Sequence, residues 1–184
     1  MSKKYEFTDE TITVNGITLH RIKALIDFDR FGVKAGDLGG FIEVEANLSH
    51  DGDAWVYGDA LVYGNARVSG NARVSGDALV SGNALISGDA CVSGNAWVSE
   101  NAKVSGDAKI KRSNDYACVN GFGSVYKNAT FFRCEDDLIR AQCGGFYGTI
   151  DEFRAKVKEI HGDSKYAKEY LMIADLMEYH FAED

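Results

Sequence analysis

Proline is absent from the 184-residue chain, and histidine is scarce at 4. With no proline to turn the backbone, reversals fall to other residues, and 20 glycines are present to make them. The cysteines Cys91, Cys118, Cys134 and Cys143 form no CxxC pair and keep no metal-site spacing with histidine. That pattern argues against a zinc module, so reduced structural thiols, no metal and no cofactor are expected. No apolar run is long enough to span a bilayer, and the opening MSKKYEF leads into no apolar export segment, so a cytoplasmic location with no membrane partner is the expectation. Basic charge is short as well: the net charge is −8 and residues 52–111 carry −1, which argues against direct nucleic-acid binding.

What the chain has in abundance is one six-residue phrase, as in GNARVS at 64–69. Stepping by six from Val56 to Ile110 meets ten aliphatic residues without a miss, and two positions before each stands alanine, from Ala54 to Ala108. A period of six fits neither an α-helix nor a continuous strand, but it suits a very short strand followed by a corner. Alanine and the aliphatic, two apart, leave the same face and point inward, while the residue between them points out. Glycine fills nine of the ten corners from Gly52 to Gly106, with Glu100 the exception, and Asn or Asp follows it. The fold expected is mainly β, a short parallel β-helix, with an interior too tight for a ligand.

The hexad resembles the repeat of hexapeptide-repeat, left-handed parallel β-helix proteins, in which three hexads complete a triangular coil. The resemblance implies the handedness, the triangular section and a stack of 18-residue turns. Outward residues then form columns: Trp55, Arg73, Cys91 and Lys109; Leu61, Leu79 and Trp97; Arg67, Leu85 and Lys103. The second is apolar, so packing against the carboxy-terminal helices, a second copy or a foreign protein is expected of it. Corners stack too, giving an asparagine ladder of Asn65, Asn83 and Asn101 and rows containing Asp53, Asp59, Asp77, Asp89 and Asp107. The acidic rows read first as solvated corners.

The flanks read as caps. Residues 5–24 alternate around Asn15-Gly16, a hairpin signal. Ala46 and Leu48 read as a first hexad followed by a two-residue insertion, His50-Asp51. After residue 121 the repeat gives way to short strands turning at 135–137. A helix follows, capped by Thr149 and Glu152, with Ile150, Phe153, Val157 and Ile160 on its apolar face. Gly162 ends it, and Asp163 is expected to cap a second helix bearing Tyr166, Tyr170, Ile173, Met177 and His180. The organisation is thus a β cap over 1–45, a β-helix over 46–121, and strands with two α-helices over 122–184.

VKAGDLGG at 33–40 followed by NLSHDGDAWVY at 47–57 is similar to a group of bacterial and phage hexapeptide-repeat proteins, some labelled acetyltransferases. CGGFYGTIDEF at 143–153, with HGDSKYAKEY at 161–170, resembles a tail module of phage and prophage members. An acyltransferase of this kind needs a histidine general base, and the repeat contains none, leaving His50 as the one catalytic candidate. The first expectation is therefore a non-enzymatic binding protein acting through protein–protein contacts, with a dimer or trimer as its own assembly. Surface candidates are Leu61, Leu79, Trp97, Trp55, Arg73, Tyr166 and Tyr170. By analogy with phage proteins, one class of partner is a host-defence system such as a CRISPR nuclease. Acyl transfer and a polymer-forming scaffold are the alternatives.

Overall fold

Every sixth residue from Trp55 onward opens a two-residue strand. The computed structural model, which describes residues 3–182, shows ten of them in succession. They are β4 (Trp55–Val56), β5 (Leu61–Val62), β6 (Arg67–Val68), β7 (Arg73–Val74), β8 (Leu79–Val80), β9 (Leu85–Ile86), β10 (Cys91–Val92), β11 (Trp97–Val98), β12 (Lys103–Val104) and β13 (Lys109–Ile110). Before them run β1 (Tyr5–Val14), β2 (Ile17–Ala24) and β3 (Leu38–Ile42). The strands stack in parallel with a stagger of 18, Trp55 against Arg73 and Leu61 against Leu79, so every third strand shares a sheet. Three sheets make three sides, ordered β1-β2-β3-β5-β8-β11, β13-β10-β7-β4 and β12-β9-β6.

The solenoid is longer than its hexads alone, because the amino-terminal segment supplies two further rungs, one on each of two sides. Phe41 pairs in parallel with Leu61, and Leu48 bridges Val68. Each side then carries four levels, so the body makes about four turns. These two pairs are 20 residues apart rather than 18, which is the insertion at His50-Asp51 read in space. The inward rows from Ala54 to Ile110 are at most 1% exposed, each buried aliphatic contributing about 1.5–3 kcal/mol against solvent.

Ala46 corrects the sequence reading: it is exposed, whereas Asn47 is buried. A 3-10 turn at Glu45–Asn47 rotates the alanine out and the amide in. Asn47 Nδ2 there donates to Gly64 O at 3.0 Å and Ala66 O at 2.8 Å, and its Oδ1 accepts from Val44 N. The reason is general to the fold. Inward alanine carbonyls accept from the preceding turn, Ala72 O from Trp55 N and Ala90 O from Arg73 N, so the first turn's carbonyls need donors from elsewhere. Phe41 N serves Ala60 O, Arg21 Nη1 serves Gly58 O at 3.1 Å, and Lys4 Nζ serves Gly52 O at 3.1 Å and Ala54 O at 2.8 Å.

The expected hairpin forms β1 and β2, with Asn15 and Gly16 at φ 51 and 81 in the turn. Residues Met1–Ser113 form one compact unit and Asn114–Asp184 a second. The second is an antiparallel sheet of β14 (Tyr116–Val119), β15 (Ala129–Arg133), β16 (Ile139–Cys143) and β17 (Phe146–Thr149) in that order, with α1 (Ile150–His161) and α2 (Lys165–Phe181). Thr149 and Glu152 close the capping box, Thr149 Oγ accepting from Glu152 N at 3.3 Å. Two expectations fail here. Ser164, not Asp163, caps α2, its hydroxyl accepting from Ala167 N, and Ile160 is 61% exposed, one turn beyond the buried face of Ile150, Phe153 and Val157. His180 is also exposed, while Tyr170, Ile173 and Met177 join the core.

Candidate functional site

The interior of the solenoid is closed, so chemistry and recognition belong to its outside and to the second unit. The apolar column is built as its spacing requires: Leu61, Leu79 and Trp97 are in register, continuing from Phe41 of β3. Phe41 lies under the Arg21 guanidinium, 4.3 Å from its ring, and Leu61 and Leu79 are half-buried. Trp97, at the end of the column, is 56% exposed, its indole N–H 3.4 Å from Ser81 Oγ.

Trp55 occupies an outward position but leaves the set of surface candidates, being 1% exposed. The amino-terminal segment covers it, with Phe28 at 5.2 Å and Tyr5 at 6.2 Å between ring centroids. Arg73, next in that column, is exposed and stacks on Tyr57 at 4.6 Å. The corners form the asparagine ladder, with bonds of 3.2 Å from Asn65 to Asn83 and 3.1 Å from Asn83 to Asn101. Among the acidic corners, Asp59 pairs with Arg21 and Asp89 with Arg30, and Asn71 donates to Asp89 at 3.0 Å. Asp77 is exposed, and Asp53 and Asp107 are half-buried. Among the described residues no three His, Cys, Asp or Glu side chains converge as a metal site would require.

His50 lines a cleft of about 490 Å³ with Arg67, Ser69 and Ser87. Its ring stacks on Tyr5 at 4.4 Å, and its Nδ1 accepts from Lys4 N at 3.1 Å. The lone pair of Nδ1 is thereby used, and Nε2 is enclosed. Beside it the ammonium of Lys4 is 1% exposed, and burial pulls its pKa from 10.5 down to about 8 against the opposing pull of Asp53 and Asp51.

The second unit carries surfaces that sequence reasoning missed. On α2, Met172, Leu176 and Tyr179 are 71%, 56% and 83% exposed and recur at helical spacing, forming an outer apolar row opposite the core row. The two interleaved rows were the available signal. Of the tyrosines expected at the surface, Tyr166 is 37% exposed, but Tyr170 is buried and donates to Phe122 O at 3.3 Å. Burial, with Cys143 as the next cause, raises the Tyr170 phenol to about 12. Tyr170 forms part of a cleft of about 540 Å³ between α1, the 124–127 loop and the turn at Gly144-Gly145.

Comparison with protein families matches one family description, the YdcK beta solenoid repeat, at residues 54–70, 66–82 and 72–88. Those overlapping stretches are the hexads that build the middle of the solenoid. The chain is similar to a repeat β-solenoid protein over that region. No curated protein matches the chain. Among the described residues no helix is long and apolar enough to cross a membrane.

Proposed function

We propose that this chain is a non-enzymatic β-solenoid protein that works by binding another protein, with the outer row of α2 as its principal contact surface. The observation that carries the reading is the exposure of Met172, Leu176 and Tyr179 on three consecutive turns of one helix. Large apolar and aromatic side chains side by side in water are costly for a monomer, and such groups carry most of the energy of protein interfaces. Trp97, ending the column Leu61–Leu79–Trp97, offers a second surface of the same kind, with room for homo-oligomer contacts.

The geometry of His50 supports the same choice over acyl transfer. A general base needs a free lone pair facing the substrate, but Nδ1 is occupied by Lys4 N and Nε2 is enclosed. The resemblance to bacterial and phage hexapeptide-repeat proteins supports a narrower version: a phage-encoded protein of the host cytoplasm that inhibits a defence system such as a CRISPR nuclease. Affinity purification from the source cells, followed by reconstitution from purified components, tests the reading. A saturable complex that Leu176→Arg weakens upholds it; acyl-donor turnover abolished by His50→Ala overturns it.

A further inference from the structure

We infer that the cleft of the second unit is a binding site for a small carboxylate with an apolar body, such as a medium-chain fatty acid. Its walls are held by close packing. Gly123, at φ 73, sits so close to Tyr170 that a Cβ there would lie 2.1 Å from the phenolic oxygen. Its N–H donates to Glu169 Oε2 at 3.2 Å, and Tyr170 Oη donates to Phe122 O. The residues leading into the 124–127 loop are thus pinned to α2 at two points.

Lys127 then lies along the Gly144 turn, where a Cβ would fall 3.4 Å from its Cδ and 3.6 Å from its Nζ. The arm thus runs within ordinary van der Waals reach of that turn. Phe146, Phe153, Val157 and Ile160 line the apolar part, and Ile160 is 61% exposed although it faces this concave surface. Lys156 and His161 complete the rim, Lys156 paired with Glu159 at 2.6 Å. Among the described residues no Asp or Glu lines the cleft, in a chain whose net charge is −8.

The occupant follows from charge complementarity and shape. A cleft of about 540 Å³ is of the size that takes small organic ligands. A neutral hydrocarbon would leave the Lys127 ammonium without use, and a multiply charged phosphate would leave the exposed Ile160 and the half-buried Phe146 without an apolar partner. One anionic group at the rim and a hydrocarbon body over Ile160 satisfies both.

Titration calorimetry of the whole chain with decanoate, below its micelle concentration, tests the inference, with decyltrimethylammonium as the cation of equal chain length. Decanoate should bind saturably at one site. Lys127→Gln should weaken it roughly fivefold, the scale of an exposed charge pair, and reduce its salt dependence. Ile160→Glu should weaken it about tenfold or more by setting a like charge in the cleft. Both side chains are exposed or half-exposed, so both variants should melt as the parent does. Failure of decanoate to bind, equal binding of the cation, or unchanged affinity in both variants would overturn the assignment.

Discussion

The Lys4 ammonium donates to the carbonyl oxygen of Ala54 at 2.8 Å across 50 residues of sequence. One side chain there does for Ala54 and Gly52 what the backbone of the preceding turn does for the alanine carbonyls from Ala72 to Ala108. Lys4→Met keeps the aliphatic arm and deletes the donor, leaving the buried Ala54 carbonyl and the part-buried Gly52 carbonyl without it. The expected loss is about 2–4 kcal/mol in urea unfolding. A loss below about 0.5 kcal/mol would show that the ammonium does not cap the solenoid.

The same residue gives a pH signature. Its pKa falls from 10.5 to about 8 on folding, so between those values the unfolded chain holds more protons at this site. Stability from Lys4 therefore rises with pH across that window and is level below it. Tyr5 acts in the opposite sense: burial raises its phenol, so above pH 10 the unfolded chain loses a proton that the folded chain keeps. The two are separated by comparing parent with Lys4→Met from about pH 7.5 to 9.5, where the stability gap should widen with pH.

Glu100 is the one corner of the hexads without glycine, held at φ 59. A left-handed backbone costs a side chain about 1–2 kcal/mol, partly offset by the greater freedom glycine gains when unfolded. Glu100→Gly should stabilise by about 0.5–1 kcal/mol in chemical denaturation. Gly52→Ala should do the reverse by about 2 kcal/mol or more, since at φ 72 its Cβ would lie 2.4 Å from Gly70 O.

The two tryptophans are placed in opposite environments, Trp55 enclosed and Trp97 in water. A Trp55→Phe chain, in dilute solution, should emit at long wavelength and be quenched readily by acrylamide. A Trp97→Phe chain should emit at shorter wavelength and resist quenching. Equal quenching of the two would contradict the column geometry.

The hexads are legible because each position serves one physical role. Ala and Val fill the interior, glycine turns, and the residue between them faces out. Columns and ladder follow from the 18-residue stagger alone. The cap is less legible. Nothing local in the opening MSKKYEF reveals that Lys4 will meet carbonyls 48 and 50 residues away. Asn47 and Ala46 exchange places because a capping hydrogen bond outweighs the hexad pattern at the one level where backbone donors run out. Trp55 does point outward, but its cover comes from Phe28 and Tyr5, far off in sequence. In the second unit the core row of α2 is visible and its outer row is not, because two apolar rows on one helix mask each other.

The most direct test of a protein-binding solenoid is the affinity of the purified chain for the protein it captures from its source cells, measured for the parent and for Leu176→Arg. The account predicts a saturable complex that the substitution weakens about tenfold or more, with an unchanged melting temperature, as expected for an exposed hot spot. An affinity unaffected by Leu176→Arg and by Leu79→Arg would contradict it.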